Sequence, residues 1–267
     1  MENQKDSTFV LKQNKTAKIL LSFIVLFLLY HAAEYYIMFE NNVMVFFLFQ
    51  FAFFISAYLL GNWYSKNGLT AWGLPLSAKL FKPLLIGIAV GILLYGSTYL
   101  ISLALGVETI ESVPDFTTAV KTVLPFAFGV FFTSFSEDIL TRGLVFAHLN
   151  TKVKPLFLIV ISAIIYLLNH IYRLNDGLES LLYIFLLGIL FIIPVIYTKK
   201  LWLTGGIHWG GNVFFFFLHN VIQNQTNSNL ISANYLFAIC IALFIPIVWF
   251  LFKSNCNSKV TCPNVVS

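Results

Sequence analysis

Charge is what this sequence has least of. Only 10% of its 267 residues are Asp, Glu, Lys or Arg, whereas 59% are hydrophobic and 29 are Phe. Soluble domains carry about 25% charged residues. A water-soluble core cannot hide so much apolar surface, so the solvent is predicted to be lipid. The formal net charge of +5 is modest. Its basic residues do not gather into a patch, which argues against nucleic acid as a partner. Cysteine is scarce as well: Cys240, Cys256 and Cys262 have the spacing of neither a zinc knuckle nor a disulfide framework. The chain also lacks internal repeats, a soluble domain and low-complexity linkers. The final Asn264-Val265-Val266-Ser267 is no prenylation signal.

What is present in quantity is long apolar runs. A spanning helix takes about 20 such residues. Eight stretches qualify: 19–38, 43–64, 83–105, 122–148, 155–172, 181–198, 201–221 and 232–252. The expected fold is therefore all-α, a polytopic membrane protein with eight transmembrane helices. Residues 1–18 and 253–267 form polar tails, and 19–252 form one bundle. The first run has no clear small-residue cleavage site and is read as a retained span. Charge placement supports the count. With the first tail inside, the inner segments hold Lys5, Lys12, Lys15 and Lys18; Lys66, Lys79 and Lys82; Lys152 and Lys154; Lys199 and Lys200; Lys253 and Lys259. The outer segments hold only Lys121 and Arg173 as bases, beside Glu34, Glu40, Glu108, Glu111, Asp115, Asp176 and Glu179. Positive charge inside sets orientation, so both termini are expected in the cytoplasm of a multi-pass protein of the cell membrane.

Against this background one stretch stands out. From Val123 to Phe146 the only charges are Glu137, Asp138 and Arg142. An ionisable group in a span costs about 2.5–3.5 kcal/mol and is a functional-site hypothesis by default. Asp138 and Arg142 are four apart, share a helix face and can pair, with a structural role of their own. Glu137 points about 100° away and is free to face something else. Tyr166 with His170, and His208 with Asn212, repeat the four-residue spacing in later spans. Positions 137 and 170 are equidistant from the Lys152-Val153-Lys154-Pro155 turn, so Glu137 and His170 are expected to face each other. His208 matches their depth only if the hairpin of spans four and five projects about two turns beyond Lys200. The site is then expected in the cytoplasmic half of the membrane, open to the cytoplasm. A carboxylate and an imidazole there can activate water. A second histidine and an amide can hold an oxyanion. Glu137, His170 and His208 could equally bind zinc. Glycines 205, 206, 210 and 211 around His208 allow close helix approach. His31 with Glu34, and His219, are read as interfacial. Trp63, Trp72 and Trp202 suit aromatic belts.

Glu137-Asp138-x-x-x-Arg142, Tyr166-x-x-x-His170 and His208-x-x-x-Asn212 resemble, in order, the three motifs of the CAAX prenyl protease 2-like (CPBP, or Abi) intramembrane proteases. This family includes the type II CAAX prenyl endopeptidases. Its pattern is Glu-Glu-x-x-x-Arg, Phe-x-x-x-His and His-x-x-x-Asn/Asp. The resemblance covers about 122–221. It implies that Glu137 and His170 activate the hydrolytic water. It makes His208 and Asn212 the oxyanion hole, with Asp138, Arg142 and Tyr166 in support. Asp138 in place of the second Glu keeps the charge, and Tyr166 in place of Phe keeps the ring, but substrate preference does not transfer. The implied substrate is a peptide or protein at the membrane, with or without a lipid. A metal-free reaction is expected, because Asn212 is an unusual zinc ligand and Arg142 would repel a cation. His-Glu-x-x-His, Gly-x-Ser-Gly and Gly-x-Gly-Asp signatures of other membrane proteases are absent. The rival expectation is a non-enzymatic protein, an immunity factor, scaffold or transporter whose buried charges serve packing or ion passage. Polar groups crowd into spans four, five and seven with no counterpart in spans one to three, which favours an enzyme site over inverted repeats.

Overall fold

The computed structural model of the protein describes residues 2–227 and 231–257. Lys259, Cys262 and the terminal Asn264–Ser267 lie outside the described residues. Eight helical segments run back and forth, one for each predicted span. The first three are α1 (Glu2–Met38), α2 (Val43–Ser65) and α3 (Phe81–Ala104). The fourth is α4 (Phe116–Asp138), which passes through a π turn, Ile139–Gly143, into α5 (Leu144–Leu149). Then come α6 (Pro155–Asn169), α7 (Leu178–Thr198), α8 (Trp202–Phe216) with a second π turn, Phe217–Val221, and α9 (Ala233–Asn257).

Local chemistry sets the helix starts. Asn42 caps α2 by accepting from the Val45 amide at 3.1 Å, and Asp115 caps α4 by accepting from the Thr118 amide at 3.1 Å. Pro155 opens α6, where its missing N–H costs nothing, and forces Lys154 to be extended.

Two expectations change. Among the described residues six segments, not eight, are long and apolar enough to cross a membrane: Lys15–Met38, Val43–Ser65, Phe81–Ala104, Phe116–Leu149, Leu178–Thr198 and Ala233–Ser254. The other two, α6 and α8, have only 15 α-helical residues each. α6 stops at Asn169 because His170 leaves helical geometry (φ −86°, ψ 51°), and α8 passes into its π turn. Secondly, the protein is not wholly α: β1 (Glu108–Ser112) pairs antiparallel with β2 (Gln223–Thr226) across the end of the bundle. α1 itself runs back to Glu2, ahead of its apolar stretch Lys15–Met38.

The buried side chains form two large apolar clusters and a small one of Tyr99, Leu218 and Ile222. Phe53, Trp72, Phe135, Ile139 and Leu144 centre one, between α1, α2 and the α4–α6 hairpin. Leu94, Tyr166, Ile184, Phe191 and Ile241 centre the other, between α3, α6, α7, α8 and α9. Trp72 is fully buried and donates its ring N–H to the Ala57 carbonyl at 2.7 Å, so it is a core residue and not part of an aromatic belt. His31 is likewise buried, 3.0 Å from Glu34 and edge-on to Tyr172.

α3 and α8 run parallel and nearly touch. A Cβ on Gly87 would lie 2.2 Å from the Leu203 carbonyl oxygen, and one on Gly206 would lie 2.4 Å from that of Leu84. Gly87-x-x-x-Gly91 and Gly206-x-x-x-Gly210 thus face each other, the close packing that small residues give in lipid. This contact fixes α8, and with it His208, against the bundle.

Candidate active site

Depth along the bundle follows from three contacts. A Cβ on Gly143 would meet the Trp72 carbonyl oxygen at 2.5 Å, and Leu201 donates its amide to the Gly73 carbonyl at 2.7 Å. Residues 72, 143 and 201 therefore share a level. From Gly143 the chain continues six residues to Leu149, about 9 Å of rise, before the hairpin turns. The hairpin projects past Leu201 by nearly two turns, as the depth argument required.

Glu137, at 5% exposure, is the last but one residue of α4. Its Oε1 lies 3.6 Å from Nδ1 of His170, and its Oε2 lies 3.5 Å from Nε2 of His208. Three helical segments thus bring the two predicted histidines to the predicted carboxylate. Both gaps exceed a direct hydrogen bond. The direct partner of Oε1 is Asn169, whose Nδ2 donates to it at 3.0 Å. Sequence reasoning passed over Asn169. The available signal was a second polar side chain next to His170 in an apolar run.

The protonation pattern can be read from the partners. Nδ1 of His170 is 2.8 Å from the Tyr166 carbonyl oxygen. A carbonyl only accepts, so Nδ1 carries a hydrogen, and in the neutral ring Nε2 keeps the lone pair. Nδ1 of His208 is 3.2 Å from Oδ1 of Asp138, which orients that ring and leaves Nε2 facing Glu137.

Asp138 and Arg142 pair as expected, with no exposure on either side chain. The guanidinium also donates to Thr141 Oγ1 at 2.9 Å and lies over the rings of Tyr166 (4.2 Å) and Phe191 (4.9 Å). The π turn that carries Arg142 displaces the local carbonyls, and Thr141 offers its own to Ser162 Oγ of α6 at 2.8 Å. The support layer is therefore tied to α6, α7 and α8 at once.

Glu137, Tyr166, His170, His208 and Asn212 line one open cavity of about 150 Å³, with room for several waters. Asn212 is half-buried and makes no side-chain hydrogen bond among the described residues, so its amide is available to a ligand. The cavity continues to Tyr95, Tyr183, Phe237 and Arg173. Arg173 stands at the rim, bonded to Asp176 at 2.8 Å and to the Tyr183 hydroxyl at 2.7 Å. These residues lie beyond the site from Lys199–Leu201. On the other side of the site Asp138, Arg142, Trp72 and Leu201 are fully buried. The cavity rises toward the end that carries the α6–α7 connection and the β1–β2 sheet.

Zinc is a poor fit. Among the described residues no three His, Cys, Asp or Glu side chains are arranged to share a metal ion. The His170 nitrogen near Glu137 is also committed to the Tyr166 carbonyl.

Residues 119–214 match the family model of the type II CAAX prenyl endopeptidase Rce1-like proteins. The match spans about a third of the chain and contains all three motifs, in line with the resemblance they carry. No curated protein matches the chain.

Proposed function

We propose that this protein is a membrane-embedded endopeptidase that cleaves a peptide bond with water activated by Glu137. The observation that carries this is the meeting of Glu137, His170 and His208, from three helical segments, on one open cavity. Glu137 takes a proton from a water in the cavity beside its carboxylate and the two rings. Asn169 holds the carboxylate in place. His170 presents the lone pair of Nε2 and shuttles the proton onward to the leaving amine. As the carbonyl becomes tetrahedral, its oxygen gains charge. The Asn212 amide and a protonated Nε2 of His208 supply the donors it needs. No metal takes part. Asp138 and Arg142 do not touch substrate; they hold His208 and the π turn.

The lysine-bearing loops support a cytoplasmic position for that end and for both termini, in a cell membrane. The cavity then opens in the opposite half of the bilayer, beside the Arg173–Tyr183 pair. A substrate already in the membrane reaches it laterally, so a membrane-associated peptide, with or without a lipid chain, is the fitting class.

The test is cleavage of a quenched-fluorescence peptide set, half of it farnesylated, by the protein in lipid nanodiscs. Wild type should cut at least one member, and Glu137→Gln should cut none while melting at the same temperature. Equal activity in the folded Glu137→Gln variant would sink the assignment. No turnover by any member with either protein would favour the non-enzymatic reading.

A further inference from the structure

A larger cavity, about 600 Å³, opens at the other end of the bundle and shares no residue with the site. Lys79, Lys82 and Lys200 line it, and its lining contains no acid. All three lysines are exposed, and none is in an ion pair among the described residues. Two helices begin on its wall. Lys82 and Pro83 belong to the first turn of α3, and Trp202 and Leu203 to the first turn of α8. Neither helix has a side-chain cap: Leu80 and Leu201 occupy the N-cap positions and bond no amide. The glycine contact that draws α3 and α8 together in parallel therefore places two uncapped helix starts side by side. Each start carries the positive end of a helix dipole. Three ammonium groups, two helix dipoles and no acid make a site for an anion.

We infer that this cavity binds the phosphate head group of an anionic phospholipid. The shape of its surroundings selects a lipid over a free phosphate. Beside the lysines the outer face of α3 is apolar and open, with Phe81 66%, Leu85 50% and Ile86 47% exposed, which suits an acyl chain. Ile86 belongs to the cavity wall itself. Basic pockets between membrane helices hold anionic head groups by this combination. The inference depends on membrane residence and is independent of the peptidase reading.

The experiment uses the full chain in a neutral detergent, titrated with dioleoylphosphatidylglycerol, dioleoylphosphatidylcholine or inorganic phosphate, and followed by native mass spectrometry and melting temperature. Phosphatidylglycerol should bind saturably and raise the melting temperature, and phosphatidylcholine should not. Combining Lys79→Gln, Lys82→Gln and Lys200→Gln should weaken phosphatidylglycerol binding by roughly 100-fold. The three Lys→Arg changes should keep it, which separates lost charge from lost fold. A control with Lys66→Gln, Lys154→Gln and Lys199→Gln, equal in charge but outside the cavity, should bind as wild type. Equal loss in the control would reduce the effect to general surface charge and overturn the site. So would unchanged binding in the cavity triple. Stabilisation by inorganic phosphate as large as that by phosphatidylglycerol would overturn the lipid assignment.

Discussion

Glu137 and Asp138 are consecutive residues with opposite surroundings. Glu137 faces a cavity of about 150 Å³, with its ring neighbours at 3.5 and 3.6 Å. Asp138 faces a packed floor, where it contacts Arg142 directly and His208 at 3.2 Å. One helix thus serves two layers about 100° apart, one bordering a cavity and one fully packed. The lesson is that a charge inside a membrane protein is read by what stands opposite it. The same carboxylate chemistry is a candidate base on one face and a brace on the other.

This contrast can be broken from either side. The largest expected effect is on turnover. Glu137→Gln should lower cleavage by about 10²–10⁴-fold or more, the range for a general base, with little change in melting temperature. Next comes the floor. Arg142→Met leaves the Asp138 carboxylate buried without its partner and should cost about 3–5 kcal/mol. Chemical denaturation in mixed micelles reads this directly. Adding Asp138→Asn should recover much of the loss, and failure to recover would mean the pair is not the main brace. Asn212→Ala should lower turnover by about 10²-fold while leaving stability near wild type, because its amide serves the cavity alone. A loss of stability instead would move Asn212 to the floor. Gly206→Ala pushes a methyl group against the Leu84 carbonyl, and forcing α3 from α8 should cost about 1–3 kcal/mol. Its effect on activity should follow through displacement of His208.

The smallest effect concerns Glu108, on β1 at the far end. Burial pushes its carboxyl up, but hydrogen bonds from His219 and Ser102 outweigh burial and hold it below its usual value. A carboxyl lowered in the folded state stabilises fully above its unfolded pKa and loses that contribution as pH falls through the folded value. Melting temperature should therefore drop on acidification through the carboxylate range, and Glu108→Gln should flatten that drop. An unchanged acid profile in the variant would show that the β1–β2 end does not contribute.

Much of the site was legible because its signals are local. Three charges in an apolar run, and histidines four residues from a ring or an amide, are properties of short stretches. The hairpin argument added the pairing of Glu137 with His170, since depth follows from counting residues on either side of a turn. Asn169 was missed because its contact is with Glu137, 32 residues earlier on another helix. Charge placement bears on which end of a bundle meets the cytoplasm, but not on which residues line a cavity within it or on the burial of Trp72, Arg142 and Leu201.

Sequence alone determined the lipid-like hydropathy, the eight helical segments and which polar residues were candidates for the site. Hydropathy, charge and spacing are carried by neighbours along the chain, so they survive without a fold. Only the tertiary structure decided the rest. It set the π turn at Arg142, the shortened α6 and the packed floor. It also set the meeting of the α3 and α8 starts above three lysines. Each of these depends on which helices touch, and contact between residues far apart in the chain leaves no pattern in any one of them.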